Sequence, residues 1–264
     1  LARVEQGRKV LAADNGKLIN MLSQDSLNAV IASGKNAGTS ALYWLTCCED
    51  GRELLFHDPS LREKITNEGL NLVIASGRNS GTSPLFWLAR VEQGRKVLAA
   101  DNGKLVNMIS QDALNAVVES GGNAGTSALH WISASADGRS LLAANRDLCE
   151  KITLTGIKSV SGQAYEIKST LMYLLEDRQT RVIFAKVEQL KRLINEIISQ
   201  SSEGLNKDML SILTFAPTLI SCIDDRMRFK GLISHYMQEI AQEEKVLHGI
   251  FCASQISKQL HKDI

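Results

Sequence analysis

Apolar residues recur three and four positions apart in short stretches along the first 156 residues of the chain. The stretch from Leu70 is typical, because Leu70, Val73 and Ile74 stand at i, i+3 and i+4 and share one helix face. Helix-start signals accompany these stretches: Asp58 precedes Pro59, whose missing N–H is tolerated in a first turn. No stretch shows the apolar–polar alternation of a half-buried strand. The pattern predicts an all-α protein.

The same segment occurs three times. The sequence Leu-Asn-Ala-Val-Ile-Ala-Ser-Gly begins at Leu27 and recurs with few changes at Leu70 and Leu114, 43 and 44 residues apart. Each copy leads through Gly-Thr-Ser to a tryptophan: Trp44, Trp87 and Trp131. Residues 1–26 also match residues 88–113 at all but three positions, so the units alternate in pairs. By this alignment we expect residue 1 to lie within a repeat that is truncated at its N-terminus.

Helices as short as these are marginal alone in water and must be stabilised by their neighbours. We therefore expect residues 1–156 to form an α-solenoid of tandem three- to four-helix repeats. The three tryptophans are predicted to lie in the core between repeats, because they hold the same place in every copy. Residues 157–264 lose the repeat and show longer apolar stripes, which predict a C-terminal helical bundle or cap.

The segment from Gly125 to Trp131, which reads Gly-Thr-Ser-Ala-Leu-His-Trp, resembles the Gly-x-Thr-Pro-Leu-His signature of ankyrin repeats. The copy around Pro84 keeps the proline and lacks the histidine. These units are longer than ankyrin units of about 33 residues, so the resemblance is to an atypical, ankyrin-like repeat. Expanded repeats of this kind are also similar to those of secreted effectors of intracellular bacteria. The resemblance implies a scaffold that binds another protein, which for an effector is a host protein.

Positions that differ between the copies are the candidate partner-binding residues. The residue before each tryptophan varies as Tyr43, Phe86 and His130, and the turn before each first helix carries Lys35 or Arg78 in two of the copies. Variation among otherwise similar copies indicates a weak packing constraint. We expect these side chains to reach a protein partner.

Composition excludes several other classes of function. The 264 residues carry a formal net charge of +1 with no basic block, which disfavours nucleic acid as partner. No apolar run is long enough to span a membrane. The five cysteines are scattered and form no CxxC pair, so we expect reduced thiols, no metal ion and no cofactor. The prediction is a cytoplasmic protein, or one secreted into a host cytosol.

One set of residues points to the alternative of an effector enzyme. Glu244, His248 and Cys252 are spaced i, i+4 and i+8, on one face of a continuous helix. A thiolate beside a histidine oriented by a carboxylate is the arrangement of cysteine nucleophiles. In that case the repeats recruit a target that the C-terminal domain modifies.

A third possibility is a purely architectural fragment. No other catalytic motif occurs, and the main prediction is a binding protein rather than an enzyme.

Overall fold

A computed structural model describes residues 2–77, 79–160, 169–184 and 186–200, with isolated positions up to residue 234. This part of the chain is helical and contains no strand, only a single bridge between Val160 and Ser169. None of its helices has the length and apolar character needed to cross a bilayer. The helices are α1 (Glu5–Asn20), α2 (Gln24–Asn28), α3 (Ala41–Thr46), α4 (Glu49–His57), α5 (Pro59–Glu63), α6 (Asn67–Asn71), α7 (Pro84–Arg90), α8 (Glu92–Asn107), α9 (Gln111–Asn115), α10 (Ala128–Ala134), α11 (Ala136–Ala144), α12 (Arg146–Glu150), α13 (Leu154–Ile157), α14 (Thr170–Glu176), α15 (Arg178–Phe184) and α16 (Glu188–Gln200).

The first helix of each unit starts at a serine. Ser40, Ser83 and Ser127 each accept a hydrogen bond on the side-chain oxygen from the amide three residues later, at the N-termini of α3, α7 and α10. Such a cap satisfies one of the amides that a helix start leaves unpaired. The helix starts predicted at Asp58 and Pro59 are also present, because the Asp58 carboxylate accepts from the Leu61 amide.

Helices that hold the same place in consecutive units contact one another. α3 packs on α7, α7 on α10 and α10 on α14, while α4 packs on α8, α8 on α11 and α11 on α15. The short helices α2, α6, α9 and α13 contact in the same order. The boundary predicted at residue 156 marks the end of the sequence similarity, whereas this packing continues into α14 and α15. Each unit therefore buries its apolar residues against its neighbours.

An asparagine near the end of α2, α6 and α9 joins each unit to the next. In each case the side-chain Nδ2 donates to a backbone carbonyl 36 or 37 residues later, and Oδ1 accepts from the amide of the next unit's capping residue. Asn115, for example, donates to Lys151 O at 2.8 Å and accepts from Thr153 N at 2.9 Å. We call this set the asparagine clamps: Asn28, Asn71 and Asn115.

Ion pairs between units lie along the second helices. The Arg95 guanidinium donates to the Asp137 carboxylate at 2.7 Å and to the Ala89 carbonyl at 2.9 Å, so that it connects two units. Two of the three arginines at matching places form longer pairs, Arg8 with Asp50 and Arg139 with Asp177, each at 3.6 Å. The third, Arg52, donates to the Thr46 carbonyl. The ion pairs add to the asparagine clamps in fixing how one unit sits on the next.

Helix α8 is interrupted where Asp101, Asn102 and Gly103 adopt left-handed backbone angles with φ of 52°, 57° and 74°. The interruption brings the Asp101 carboxylate to the buried Arg62 guanidinium, which donates two hydrogen bonds of 2.7 and 2.8 Å. This pairing with Arg62 lowers the pKa of Asp101 below its ordinary value. The strain of two non-glycine residues in this region is thus offset by a bidentate ion pair.

The first described unit exposes apolar side chains that the later, nearly identical unit buries. Val10 is 45% exposed and Leu18 is 41% exposed, whereas Val97 and Leu105, at the matching places in α8, are at most 1% exposed. The difference arises because α4 packs on α8, and no described helix occupies the corresponding place beside α1. Burial at these positions depends on the neighbouring unit and not on the local sequence.

This difference allows a matched pair of substitutions. Leu105→Ala is expected to lower the free energy of unfolding by about 3 kcal/mol, because it removes a buried side chain and leaves a cavity. Leu18→Ala is expected to cost less than about 1 kcal/mol, since its side chain is already partly in solvent. Urea denaturation followed by circular dichroism measures both. Equal costs for the two variants would show that α1 and α8 have the same surroundings.

Candidate protein-binding surface

Three of the predicted partner-binding residues lie in the interior. Tyr43, Phe86 and His130 are at most 2% exposed, so the prediction that they reach a partner is corrected. The rings of Tyr43 and His130 lie on the side of their helices that faces the next unit. The Tyr43 hydroxyl is 3.1 Å from Thr82 Oγ1, and His130 Nδ1 is 3.2 Å from Thr170 Oγ1.

The interior accommodates the polar side chain of His130 through hydrogen-bonding groups of the next unit. His130 belongs to a buried polar cluster in which Ser159 Oγ lies 2.8 Å from both Ser127 Oγ and Thr170 Oγ1. A buried polar side chain is tolerated where it finds such partners, and an apolar ring suits the matching position, Phe86.

Burial of His130 makes the stability of the fold sensitive to pH. Removal from water lowers the pKa of His130 from its ordinary value of 6.5 to about 4. Between these two values the unfolded chain binds a proton at this residue and the folded chain does not. Stability from His130 is therefore present above pH 6.5 and is lost as the pH falls towards 4.

We expect acidification from pH 7 to pH 4 to remove about 3 kcal/mol of stability through His130 alone. His130→Phe, which installs the ring of the matching position Phe86, is expected to remove this contribution while keeping a buried aromatic side chain. Urea denaturation of both proteins at several pH values measures it. An equal loss of stability in the two proteins would contradict the assignment of this pH dependence to His130. The loss would then come from other groups, which both proteins share.

The turns before the first helices hold the remaining predicted residues. Lys35 is exposed in the turn between Gly34 and Gly38, whose φ angles of 85° and 82° lie in the left-handed region that glycine tolerates. Its exposure suits a partner contact, which stays a prediction. Arg78 lies outside the described residues.

The tryptophans lie at the edge of the interior rather than in its centre. Trp44, Trp87 and Trp131 are each partly exposed, and Trp44 and Trp131 pack against the core, so the prediction that they form the core between repeats holds only in part. Each indole meets the ring that precedes it in the chain edge to face, with centroids 5.3 or 5.4 Å apart. Tyr173, at the matching place in α14, is also partly exposed and lies 5.6 Å from the His130 ring. We call these four residues the aromatic row.

Two guanidinium groups stack on the aromatic row. Arg90 lies 5.5 Å from the Trp87 ring centroid and 5.6 Å from that of Trp131, and Arg3 lies 5.5 Å from the centroid of Trp44. Both arginines are exposed. Within the described ranges neither of them forms an ion pair. Tryptophan and arginine are the residue types most enriched at the energetic centres of protein interfaces.

The residues of the predicted nucleophile, Glu244, His248 and Cys252, lie outside the described residues, and the enzyme alternative stays a prediction. Among the cysteines that the structure describes, burial raises the pKa of Cys47 to about 11 and that of Cys149 to about 12. Both are therefore neutral thiols at pH 7 and poor nucleophiles. The described part of the chain brings together no group of side chains suited to hold a metal ion.

Comparisons with known proteins give no relative from which a function could be transferred. Models of known protein families, curated protein sequences and solved structures were all searched, and none of them matches the chain.

Proposed function

We propose that this chain is an ankyrin-like α-solenoid that binds another protein along its aromatic row. The observation that carries the proposal is the alignment of one partly exposed aromatic ring per unit, with exposed arginines stacked on the rings. The packing of equivalent helices from unit to unit supports the proposal, because it repeats the row at regular intervals. The effector role and a host partner extend the proposal through the resemblance of the repeats.

Such a surface binds by shape complementarity with little rearrangement. The asparagine clamps and ion pairs between units hold the rings in place before a partner arrives. A surface that is already ordered loses little conformational entropy on binding, so more of the contact energy appears as affinity. Half-buried rings lose few rotamers, and each still offers one edge or face to a partner.

The experiment selects ligands without assuming their identity. The purified full chain is immobilised, and a displayed library of random peptides is enriched on it through several rounds. Enriched peptides are then synthesised and titrated against the wild type, Trp131→Leu and Arg146→Ala. Leu keeps an apolar side chain at the row, and Arg146 pairs with Glu150 on a different helix, α12, so it serves as the control.

We expect Trp131→Leu to weaken peptide binding about tenfold, a loss of about 1.4 kcal/mol, and Arg146→Ala to leave it unchanged. Circular dichroism confirms that each variant is folded at the assay temperature. Peptides that bind both variants as tightly as the wild type would place the binding surface elsewhere. Failure to enrich any peptide over the empty support would contradict a peptide-binding row.

A further inference from the structure

We propose that the aromatic row binds an extended acidic segment of a protein, with carboxylates of that segment on Arg3 and Arg90. This inference depends on the proposed function and names the chemistry of the partner. It is derived from two exposed guanidinium groups that lie over indole rings, 5.5 or 5.6 Å from the ring centroids.

Each guanidinium carbon lies over an indole ring, 5.5 or 5.6 Å from its centroid. Cation–π attraction of this kind positions the group and uses none of its five N–H donors in a hydrogen bond to an anion. A carboxylate matches two of these donors at once, and such a bidentate pair is stronger than a contact with a neutral acceptor. Contact with the apolar ring also removes water from one side of the group, which strengthens its attraction to an anion.

Two buried arginines of the repeats already have a carboxylate. Arg62 is bound by Asp101 and Arg95 by Asp137, each with a contact of 2.7 Å. By contrast, Arg90 reaches only the rings of Trp87 and Trp131 in the part of the chain that is described. The arginines on the row are thus positioned by aromatic rings, and no carboxylate of the described ranges pairs with them.

The spacing of the two arginines predicts the spacing of the acidic residues. Arg3 and Arg90 are 87 residues apart and hold the same place in alternate units, while Cys47 and Ala134 hold that place in the units between and after them. Packed helices lie about 10 Å apart, so two units separate the arginines by about 20 Å. An extended peptide covers this distance in about six residues at about 3.3 Å each.

The observations favour an acidic protein segment over a single-stranded nucleic acid, which also combines anionic groups with stacking. Nucleic-acid affinity depends on many phosphate contacts along a basic groove. Here the aromatic row carries two cations, about 20 Å apart, on a chain of net charge +1. Two carboxylates separated by several residues fit this arrangement, and a phosphate at every nucleotide does not.

The test uses the purified full chain and fluorescein-labelled synthetic peptides of twelve residues. One peptide carries two aspartates six residues apart, a second carries them two residues apart, and a third has asparagine at both places. A twelve-nucleotide oligothymidylate of the same label serves as the nucleic-acid probe. Fluorescence anisotropy is measured for the wild type, Arg90→Ala, Arg90→Lys, the Arg3→Ala/Arg90→Ala double variant and the control Arg146→Ala.

We expect the six-residue spacing to bind about tenfold more tightly than the two-residue spacing or the asparagine peptide. Arg90→Ala lowers that affinity about tenfold, Arg90→Lys restores it only in part because lysine lacks the planar fork, and Arg146→Ala has no effect. Tighter binding of the oligothymidylate, equal binding of the three peptides, or insensitivity to Arg90→Ala would each overturn the inference. If library peptides depend on Trp131 but carry no acidic residues, the proposed function stands and this inference alone fails.

Discussion

Gly94→Ala is expected to lower the free energy of unfolding by about 4 kcal/mol, the upper end of the cost of overpacking. Gly94 lies near the start of α8, where this helix crosses the end of α7. A Cβ atom at Gly94 would lie 2.6 Å from Leu88 Cα and 2.8 Å from its carbonyl carbon. The obstructing atoms are backbone, so α7 and α8 would have to separate, and the packing of both on the neighbouring units would be lost.

The control for this substitution is Gly231→Ala. Gly231 is exposed and helical, and a Cβ atom there meets nothing within 4 Å. The higher helix propensity of alanine is expected to make this variant as stable as the wild type or up to about 1 kcal/mol more stable. Thermal and urea denaturation of the two variants give the comparison. A Gly94→Ala protein as stable as the wild type would contradict the close crossing of α7 and α8.

Asn115→Ala is expected to have an effect of similar size, also about 4 kcal/mol, for a different reason. Asn115 is 6% exposed, and its side chain satisfies the Lys151 carbonyl and the Thr153 amide of the next unit. Truncation leaves both backbone groups without a partner where water has little access. Each unsatisfied group costs about 1–3 kcal/mol, and the alanine also leaves a small cavity.

Asn28→Ala provides the comparison within the same chain. Asn28 makes the same two hydrogen bonds to the Lys64 carbonyl and the Thr66 amide, but it lies only half-buried. Water can replace the lost partners there, so we expect about half the cost of Asn115→Ala. Urea titration measures the free energy of unfolding of both variants and of the wild type. If both variants unfold like the wild type, the asparagine clamps do not hold the units together.

The helical class and the repeat were predictable from the sequence because both are local patterns. The i, i+3, i+4 spacing predicted one helix through Leu70, Val73 and Ile74, and this was wrong in extent, because α6 ends at Asn71 and the latter two residues follow it. The burial of the apolar segment is nevertheless present: Leu27, Leu70 and Leu114 are all fully buried. The helix start at Asp58 was predictable because a cap requires only neighbouring residues. These features depend on a few adjacent positions, and the sequence contains them in full.

The roles of the aromatic residues were predicted wrongly or only in part, because they depend on the register between units. Tyr43 and His130 vary between copies, yet each has a hydroxyl partner 39 or 40 residues later, at Thr82 and Thr170. A single sequence does not say which residues of two units face each other. Trp87 and Trp131 are constant, yet they lie partly exposed with Arg90 over their rings. Constancy among copies therefore marks a shared environment, which here is an edge and not the interior.

The asparagine clamps were not predicted, although the sequence contained a signal for them. Asn28, Asn71 and Asn115 stand at the same place beside a buried leucine in all three copies. A polar residue that recurs next to the interior requires hydrogen-bond partners. Their location, 36 to 39 residues away in the next unit, becomes visible only once the units are stacked.

Amide hydrogen exchange tests most directly the central claim that consecutive units hold one another through these side chains. The amides of Thr66, Ser110 and Thr153 precede their helices, where an amide ordinarily has no partner and exchanges quickly. We predict that all three exchange slowly, because each donates to an asparagine of the preceding unit. Ser23 holds the same place in the first described unit, without a preceding asparagine, and should exchange at an unprotected rate. Rapid exchange at all four amides would contradict the account.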